Sequence, residues 1–226
     1  MRKPNEYGQF CPVAKTAEIL ALKWMPLVIR ELLAGSIRFN DIQRGVPLMS
    51  PSLLSTCLRE LEDAGIVERR SAEKGRGSTY HLTQAGRELA PIIELYANWA
   101  KTWLRREISE QDLDPGLLMW DVHRNLDASY MPDDRRVSVQ FELTGMKAKQ
   151  RRWWVVFEDG TADLCMKDPG HEIDLYVAAP LRSLTEIWLG QRPINEALKA
   201  GELTLDGPRK LVDTFPKWFM LSVTAR

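Results

Sequence analysis

Residues 50–70 read SPSLLSTCLRELEDAGIVERR. Ser50 followed by Pro51 is a helix start: a hydroxyl oxygen accepts from a free N–H of the first turn, and a proline ring pre-sets the first helical φ. Leu54, Leu58 and Leu61 recur one turn apart, and Gly65 supplies the stop. The spacing predicts a helix over 50–64 with its leucines buried. Ser52, Ser55, Thr56 and Arg59 stand at i, i+3, i+4 and i+7 and share a different face. Short hydroxyl side chains beside an arginine let a helix sit deep in the major groove of DNA, where Arg is the commonest reader of guanine.

The neighbouring segments fit that reading. After Cys11-Pro12, the apolar positions Val13, Ala17, Leu20 and Ala21 recur at helical intervals. Pro26 opens a second apolar segment, LVIRELLAG, which Gly35 stops, and FNDIQRGVP follows, closed by Gly45 and Pro47. Short helices ahead of a reading helix are the positioning part of a helix-turn-helix. Downstream, IVERR, the glycine-rich EKGRGS and TYHLT read as a β-hairpin over 66–82 whose tip carries Lys74 and Arg76. A basic hairpin after a recognition helix is a wing, suited to lie along phosphates or enter the minor groove. Each piece alone has a plainer reading, a solvated helix face or a charged turn; their order favours DNA. A long amphipathic helix, 84–107, then carries Leu89, Ile92, Tyr96, Trp99 and Trp103, with Pro91 close to its start.

Beyond a polar, acidic stretch at 109–115, expected to be a linker, the period changes. Val137, Val139, Phe141 and Leu143 alternate with Ser138, Gln140 and Glu142, which is a half-buried strand. RRWWVVFEDG, TADLCMKDPG and HEIDLYVAAP repeat the idea between turn signals and read as an antiparallel meander; LRSLTEIWLG, PINEALKAG and PRKLVDTFPKWFML are helical and ELTLDG is a short strand. The expected class is α+β in two domains, 1–108 and 116–226, the second an antiparallel sheet covered by helices. The 226 residues carry no net charge, but residues 1–108 hold 16 Lys+Arg against 12 Asp+Glu, and the remainder is acidic by the same margin. Such an asymmetry suggests halves with different partners.

At this point the chain resembles a known family. CPVAKTAEILALKW, RELLAGSIRFNDIQRGVP, SPSLLSTCLRELEDAGIVERR and YHLTQAGREL are similar, in order and over roughly residues 8–105, to the HxlR family of winged-helix bacterial transcription regulators. The resemblance implies a homodimer on a near-palindromic operator in double-stranded DNA, held together through the N-terminal segment and helix 84–107. It places Ser52, Ser55, Thr56 and Arg59 on the recognition helix and Arg70, Lys74 and Arg76 on the wing; Arg38 joins them as an expected DNA contact. Two positions depart from the family: Cys57 stands where an arginine or other polar residue is common, and KGRG stands where the wing often has a proline pair.

The later run IDLYVAAPLRSLTEIWLGQRPINEALKAGELTLDGPRKLVDTFPKWF is similar to the closing portion of sterol carrier protein-like domains. That implies a cavity for a lipid or other hydrophobic molecule between sheet and helices. Trp154, Val156, Ile187, Trp188, Leu198, Phe215 and Trp218 are its expected lining, and core packing is the plainer role of each.

Cysteines 11, 57 and 165 are few and widely spaced, which fits a reduced cytoplasm rather than a disulfide framework. Cys11 has a redox reading, since Lys15 one turn on and a helix N-terminus favour a thiolate, beside the plainer one of a small apolar side chain. No metal site or cofactor is expected, no apolar run is long enough to span a bilayer, and no secretory signal opens the chain. No nucleophile elbow, phosphate loop or HExxH is present, so no enzyme is expected. The leading expectation is a DNA-binding regulator modulated by a hydrophobic effector. Its alternatives are a regulator sensing through Cys11, and a hydrophobic-ligand carrier whose winged helix is a dimerisation scaffold. The absence of a groove-facing arginine at Cys57 is the carrier's support.

Overall fold

The computed structural model describes residues 6–71, 77–104, 108–132 and 134–222. Lys74 and Arg76 therefore lie outside the described residues. The chain divides into two compact units, Met1–Arg105 and Arg106–Arg226.

Unit 1 opens with α1 (Pro12–Leu20), α2 (Met25–Leu33), α3 (Phe39–Gly45) and α4 (Pro51–Asp63). The hairpin β1 (Val67–Ser71) and β2 (Ser78–Leu82) follows, then α5 (Gln84–Arg87) and α6 (Ala90–Trp103). In α4 the Ser50 hydroxyl accepts from the Leu53 N–H at 3.3 Å. At the other end Gly65, with φ +71°, lets the Gly65 N–H reach the Glu62 carbonyl and the Ile66 N–H reach the Leu61 carbonyl, both at 2.9 Å. Only a left-handed residue permits this closing pair of bonds without strain. Leu54, Leu58 and Leu61 are buried against Val28, Ile29 and Ile42, so α2, α3 and α4 share one core.

Three expectations change here. The helix expected over 84–107 is two helices, because Pro91 has no N–H to offer the Arg87 carbonyl and its ring would crowd that group; α6 therefore starts afresh with Pro91 in its first turn. Val13 and Ala21, read as part of α1's apolar stripe, are exposed, whereas Leu20 is buried. Cys57 is 4% exposed and belongs to the leucine core. One residue before Leu58 and four before Leu61, it falls inside the buried sector of α4, so it is no missing groove contact and lends the carrier reading nothing.

Unit 2 begins with a one-turn 3₁₀ helix at Glu110–Asp112, closed by a reciprocal cap between Ser109 and Asp112. Asp114 then caps α7 (Pro115–Arg124), accepting from the Leu117 N–H at 2.8 Å. There follow β3 (Val137–Thr144), α8 (Ala148–Arg151), β4 (Arg152–Glu158), β5 (Thr161–Cys165), β6 (Leu175–Pro180), α9 (Leu181–Trp188), α10 (Ile194–Lys199), β7 (Thr204–Asp206) and α11 (Arg209–Trp218). The five strands lie in the order β5-β4-β3-β6-β7. The meander holds for β3, β4 and β5, but the sheet is mixed: β6 runs parallel to β3, with Leu175, Val177 and Ala179 opposite Val139, Phe141 and Leu143. Parallel neighbours cannot be joined by a tight hairpin, so residues 166–174 carry the chain past β4 and β3, and the DPG signal within them marks a bend of that crossover.

Strand alternation gives the sheet two different faces. Val137, Val139, Phe141, Trp153, Val155, Phe157 and Leu175 face one way and pack with Leu118, Val122, Leu184, Ile187, Leu211, Phe215 and Trp218 from the helices. Ser138, Gln140, Trp154 and Val156 face the other way.

Candidate nucleic-acid interface and ligand groove

The α4 face expected to meet DNA lies open to solvent. Ser52, Ser55, Thr56 and Arg59 are all exposed, opposite a flank buried to between 0 and 4%. The hydroxyls are partly committed: Thr56 donates to the Ser52 carbonyl at 3.1 Å, and the Ser52 hydroxyl lies 3.2 Å from that of Ser50. The wing is tied to the same body. The Tyr80 N–H donates to the Ile37 carbonyl at 2.8 Å, and Arg38 bridges Thr79, so exposed Arg38 stands beside the hairpin. Of the wing cations, Arg70 is ion-paired to Glu68 and Arg69 donates to the Ser78 hydroxyl at 2.8 Å. The Glu68 carboxylate thus offsets part of the positive charge that Arg70 presents.

Sequence reasoning missed the group that fixes α3 against α2. Glu31 is fully buried, and its carboxylate accepts from Arg30 Nη2 at 2.8 Å and from the Ser36 hydroxyl at 3.4 Å. The same Arg30 nitrogen donates to the Gly45 carbonyl at 2.8 Å. A Cβ on Gly45 would fall 1.9 Å from the Glu31 carboxyl carbon, so that close approach requires glycine. The available signal was a glutamate at a core-facing position of the LVIRELL stretch, a place where an unpaired charge is not tolerated.

Outside its first turn α6 is uncovered. Ile92 and Ile93 rest on the unit 1 core, but Leu95, Tyr96, Trp99 and Trp103 are 65, 51, 58 and 70% exposed. Tyr7, Phe10 and Val13 are also exposed, at 56, 99 and 75%.

In unit 2 a groove of about 480 Å³ opens between α10, the β7 edge and α11. It is lined by Leu198, Leu203, Leu205, Val212 and Pro216, with Asn195, Thr204 and Asp213 as polar groups. Of the seven expected lining residues only Leu198 takes part. Ile187, Trp188, Phe215 and Trp218 are 0 to 4% exposed and fill the space between helices and sheet as core, through ring contacts such as Phe215–Trp218 at 4.7 Å. Trp154 and Val156 point away from the helices, because along β4 it is Trp153, Val155 and Phe157 that face them. Glu202, just ahead of β7, receives Arg192 through both carboxylate oxygens and the Ser183 hydroxyl at 2.9 Å. The Arg192 hydrogen bond, aided by Ser183, holds the Glu202 carboxyl below its ordinary range.

Comparison with known proteins fits this anatomy. The HxlR-like helix-turn-helix family matches residues 19–108. The HTH-type transcriptional regulator YvaP of Bacillus subtilis (strain 168) is 38% identical over 99 residues, 43% of this chain and 92% of YvaP. The chain belongs to the HxlR-like helix-turn-helix family. Another regulator of that organism, YybR, is 33% identical over 116 residues, 51% of this chain and 90% of its own length. Among solved structures, the redox regulator HypR in its oxidized form is 32% identical, covering 43% of this chain and all of HypR, with a TM-score of 0.40. The SCP-2 sterol transfer family matches residues 135–219, so the HxlR-like part is fused to a sterol-carrier-like one.

Within this HxlR-like chain the cysteines differ. Burial pushes the Cys57 thiol up, and burial with nearby Asp163 does the same for Cys165. Cys11 is the N-cap of α1 and half-buried, but Lys15, the cation expected to act on it, donates to both Glu18 carboxylate oxygens at 3.0 Å. Among the described residues no helix is long and apolar enough to cross a membrane.

Proposed function

We propose that this HxlR-like protein is a homodimeric transcription regulator that reads a near-palindromic operator with α4 and the β1–β2 wing, and that a hydrophobic molecule in the unit 2 groove modulates its affinity for DNA. The exposed Ser52, Ser55, Thr56 and Arg59 face, held on a shared helix core beside Arg38, carries the DNA part of the reading. The uncovered aromatic stripe of α6 supports the dimer, since exposed apolar surface of this extent marks an interaction site and a second copy offers the same surface. A Trp99→Glu variant is expected to sediment as a monomer and to lose operator binding. The groove and the sterol-carrier-like match support the effector. Regulation follows if the molecule binds one dimer arrangement better than another, because equal affinity for both shifts nothing. We assign it binding and no catalytic step.

The test is fluorescence anisotropy of a duplex from the region upstream of the protein's own gene against a scrambled duplex, across a salt series. Tighter binding to the native duplex, weakening as salt rises, is the expected result. Equal or absent binding to both refutes this operator assignment, and absence even at low salt favours a hydrophobic-ligand carrier. A second reading, thiol sensing, rests on the N-cap position of Cys11 alone. A Cys11→Ser variant whose DNA binding still responds to oxidant ends it.

A further inference from the structure

The exposed face of α4 carries hydroxyls and an arginine, yet its first turn also presents leucine. Leu53 remains 39% exposed while Leu54, Leu58 and Leu61 are at most 1% exposed. Its own N–H is held by the Ser50 hydroxyl, so its place in the first turn is fixed. Thr56, one turn on, has spent its hydroxyl proton on the Ser52 carbonyl. What Thr56 still offers a base edge is a methyl group and an acceptor lone pair. Residues at i and i+3 are neighbours on a helix surface, so Leu53 and the Thr56 methyl form one small apolar patch. Arg59 continues the same row at the next i+3 step.

We propose that Leu53 and Thr56 together read a thymine methyl in each operator half-site, making them the specificity-determining residues that complement Arg59. This rests on the DNA-binding reading given above. Three observations support the assignment. The N-terminal residues of a recognition helix are the ones that reach base edges. The major groove displays one apolar group, the C5 methyl of thymine, and aliphatic carbon is its partner. A hydroxyl bonded to its own helix cannot compete with that contact by donating to a base. Leu53 and Arg59 are separated by about 9 Å along the helix axis. At about 3.4 Å per base step, the thymine and any guanine read by Arg59 fall within about three base pairs of each other.

The experiment selects duplexes from a random pool with the full chain, then replaces each thymine of the enriched site by deoxyuridine, which lacks only the methyl. One thymine per half-site, within about three base pairs of a guanine, is expected to cost about fourfold in affinity when replaced, the size of one buried methyl. Thr56→Ser keeps the hydroxyl and removes the methyl; it and Leu53→Ser are expected to abolish the thymine–deoxyuridine difference at that position. Because Leu53 and Thr56 are exposed, both variants should keep the parent melting temperature. An enriched site at which no thymine methyl matters, or at which both variants retain the full difference, overturns this inference and leaves DNA reading intact. A pool that yields no enriched sequence overturns both.

Discussion

Acidification from about pH 7.5 to about pH 4.5 should destabilise unit 2 by about 2 kcal/mol through one side chain, His123. The ring lies on α7 with its centroid 4.6 Å from that of Trp120, and its Nδ1 is buried without a hydrogen-bond partner. Burial depresses its pKa to about 4, and Arg124 adds to the effect. The Trp120 and Met119 carbonyls and Asp163 pull the other way, without a hydrogen bond at Nδ1. In the unfolded chain the same imidazole titrates near its ordinary value of about 6.5. Between the two values the unfolded state holds the proton and the folded state does not. The stabilisation is therefore full above the unfolded pKa and is lost as pH falls toward the folded one. The full difference corresponds to about 3 kcal/mol, which partial solvent access to the ring reduces. Asp127 and Glu202, whose pKa values are lowered by hydrogen bonds from Ser129 and from Arg192, stabilise fully above the ordinary carboxylate range and lose that contribution only as pH falls through it. The interval above about pH 4.5 thus belongs to the histidine. The assay is urea unfolding followed by tryptophan fluorescence, with wild type and His123→Gln compared at each pH. A flat profile for the variant across this interval is expected, and parallel profiles for the two proteins would refute the reasoning.

Three further outcomes follow from the geometry. Gly45→Ala should destabilise unit 1 by about 3 kcal/mol by driving the Glu31 carboxylate off Arg30 and Ser36, and in a Glu31→Ala background the same change should cost under about 1 kcal/mol; a double-mutant cycle by chemical unfolding measures the coupling. Arg59→Ala should weaken operator binding by about 1–3 kcal/mol per half-site, whereas Arg70→Ala, already ion-paired to Glu68, should cost less than about 1 kcal/mol in the same anisotropy titration. Leu198→Glu should reduce uptake of a fluorescent fatty acid at least about tenfold, a loss of about 1.4 kcal/mol, while Trp154→Phe, on the other face of the sheet, should leave uptake within about twofold.

Much of unit 1 was legible because its signals are local. Ser50-Pro51, the leucines at 54, 58 and 61 and Gly65 specify α4 through bonds and contacts within a few residues, and the exposed face then follows from the 3.6-residue period. The same period places Cys57 inward beside Leu58 and Leu61, whereas the family resemblance alone marks its position as polar. The unit 2 strands were legible by alternation, but the partner of β6 was not. Pairing depends on where residues 166–174 cross, and no residue in that stretch encodes the destination.

The lining of the groove shows the division most clearly. Apolar character marked Ile187, Trp188, Phe215 and Trp218, yet burial in a core and exposure to a ligand demand the same composition. Only the packing of α10 and α11 on the β7 edge decided that Leu198, Leu205, Val212 and Pro216 line the groove. Likewise the Glu31–Arg30–Gly45 group joins residues up to fifteen apart in the chain and becomes visible only when α2 and α3 are packed. The sequence by itself determined the α4 helix with its cap and faces and the alternation of β3 and β4, since these follow from interactions spanning one or two helical turns or a strand pleat. The tertiary structure decided strand order, which apolar residues remain uncovered, and which charges are already paired, because each depends on distances between segments that local chemistry leaves free.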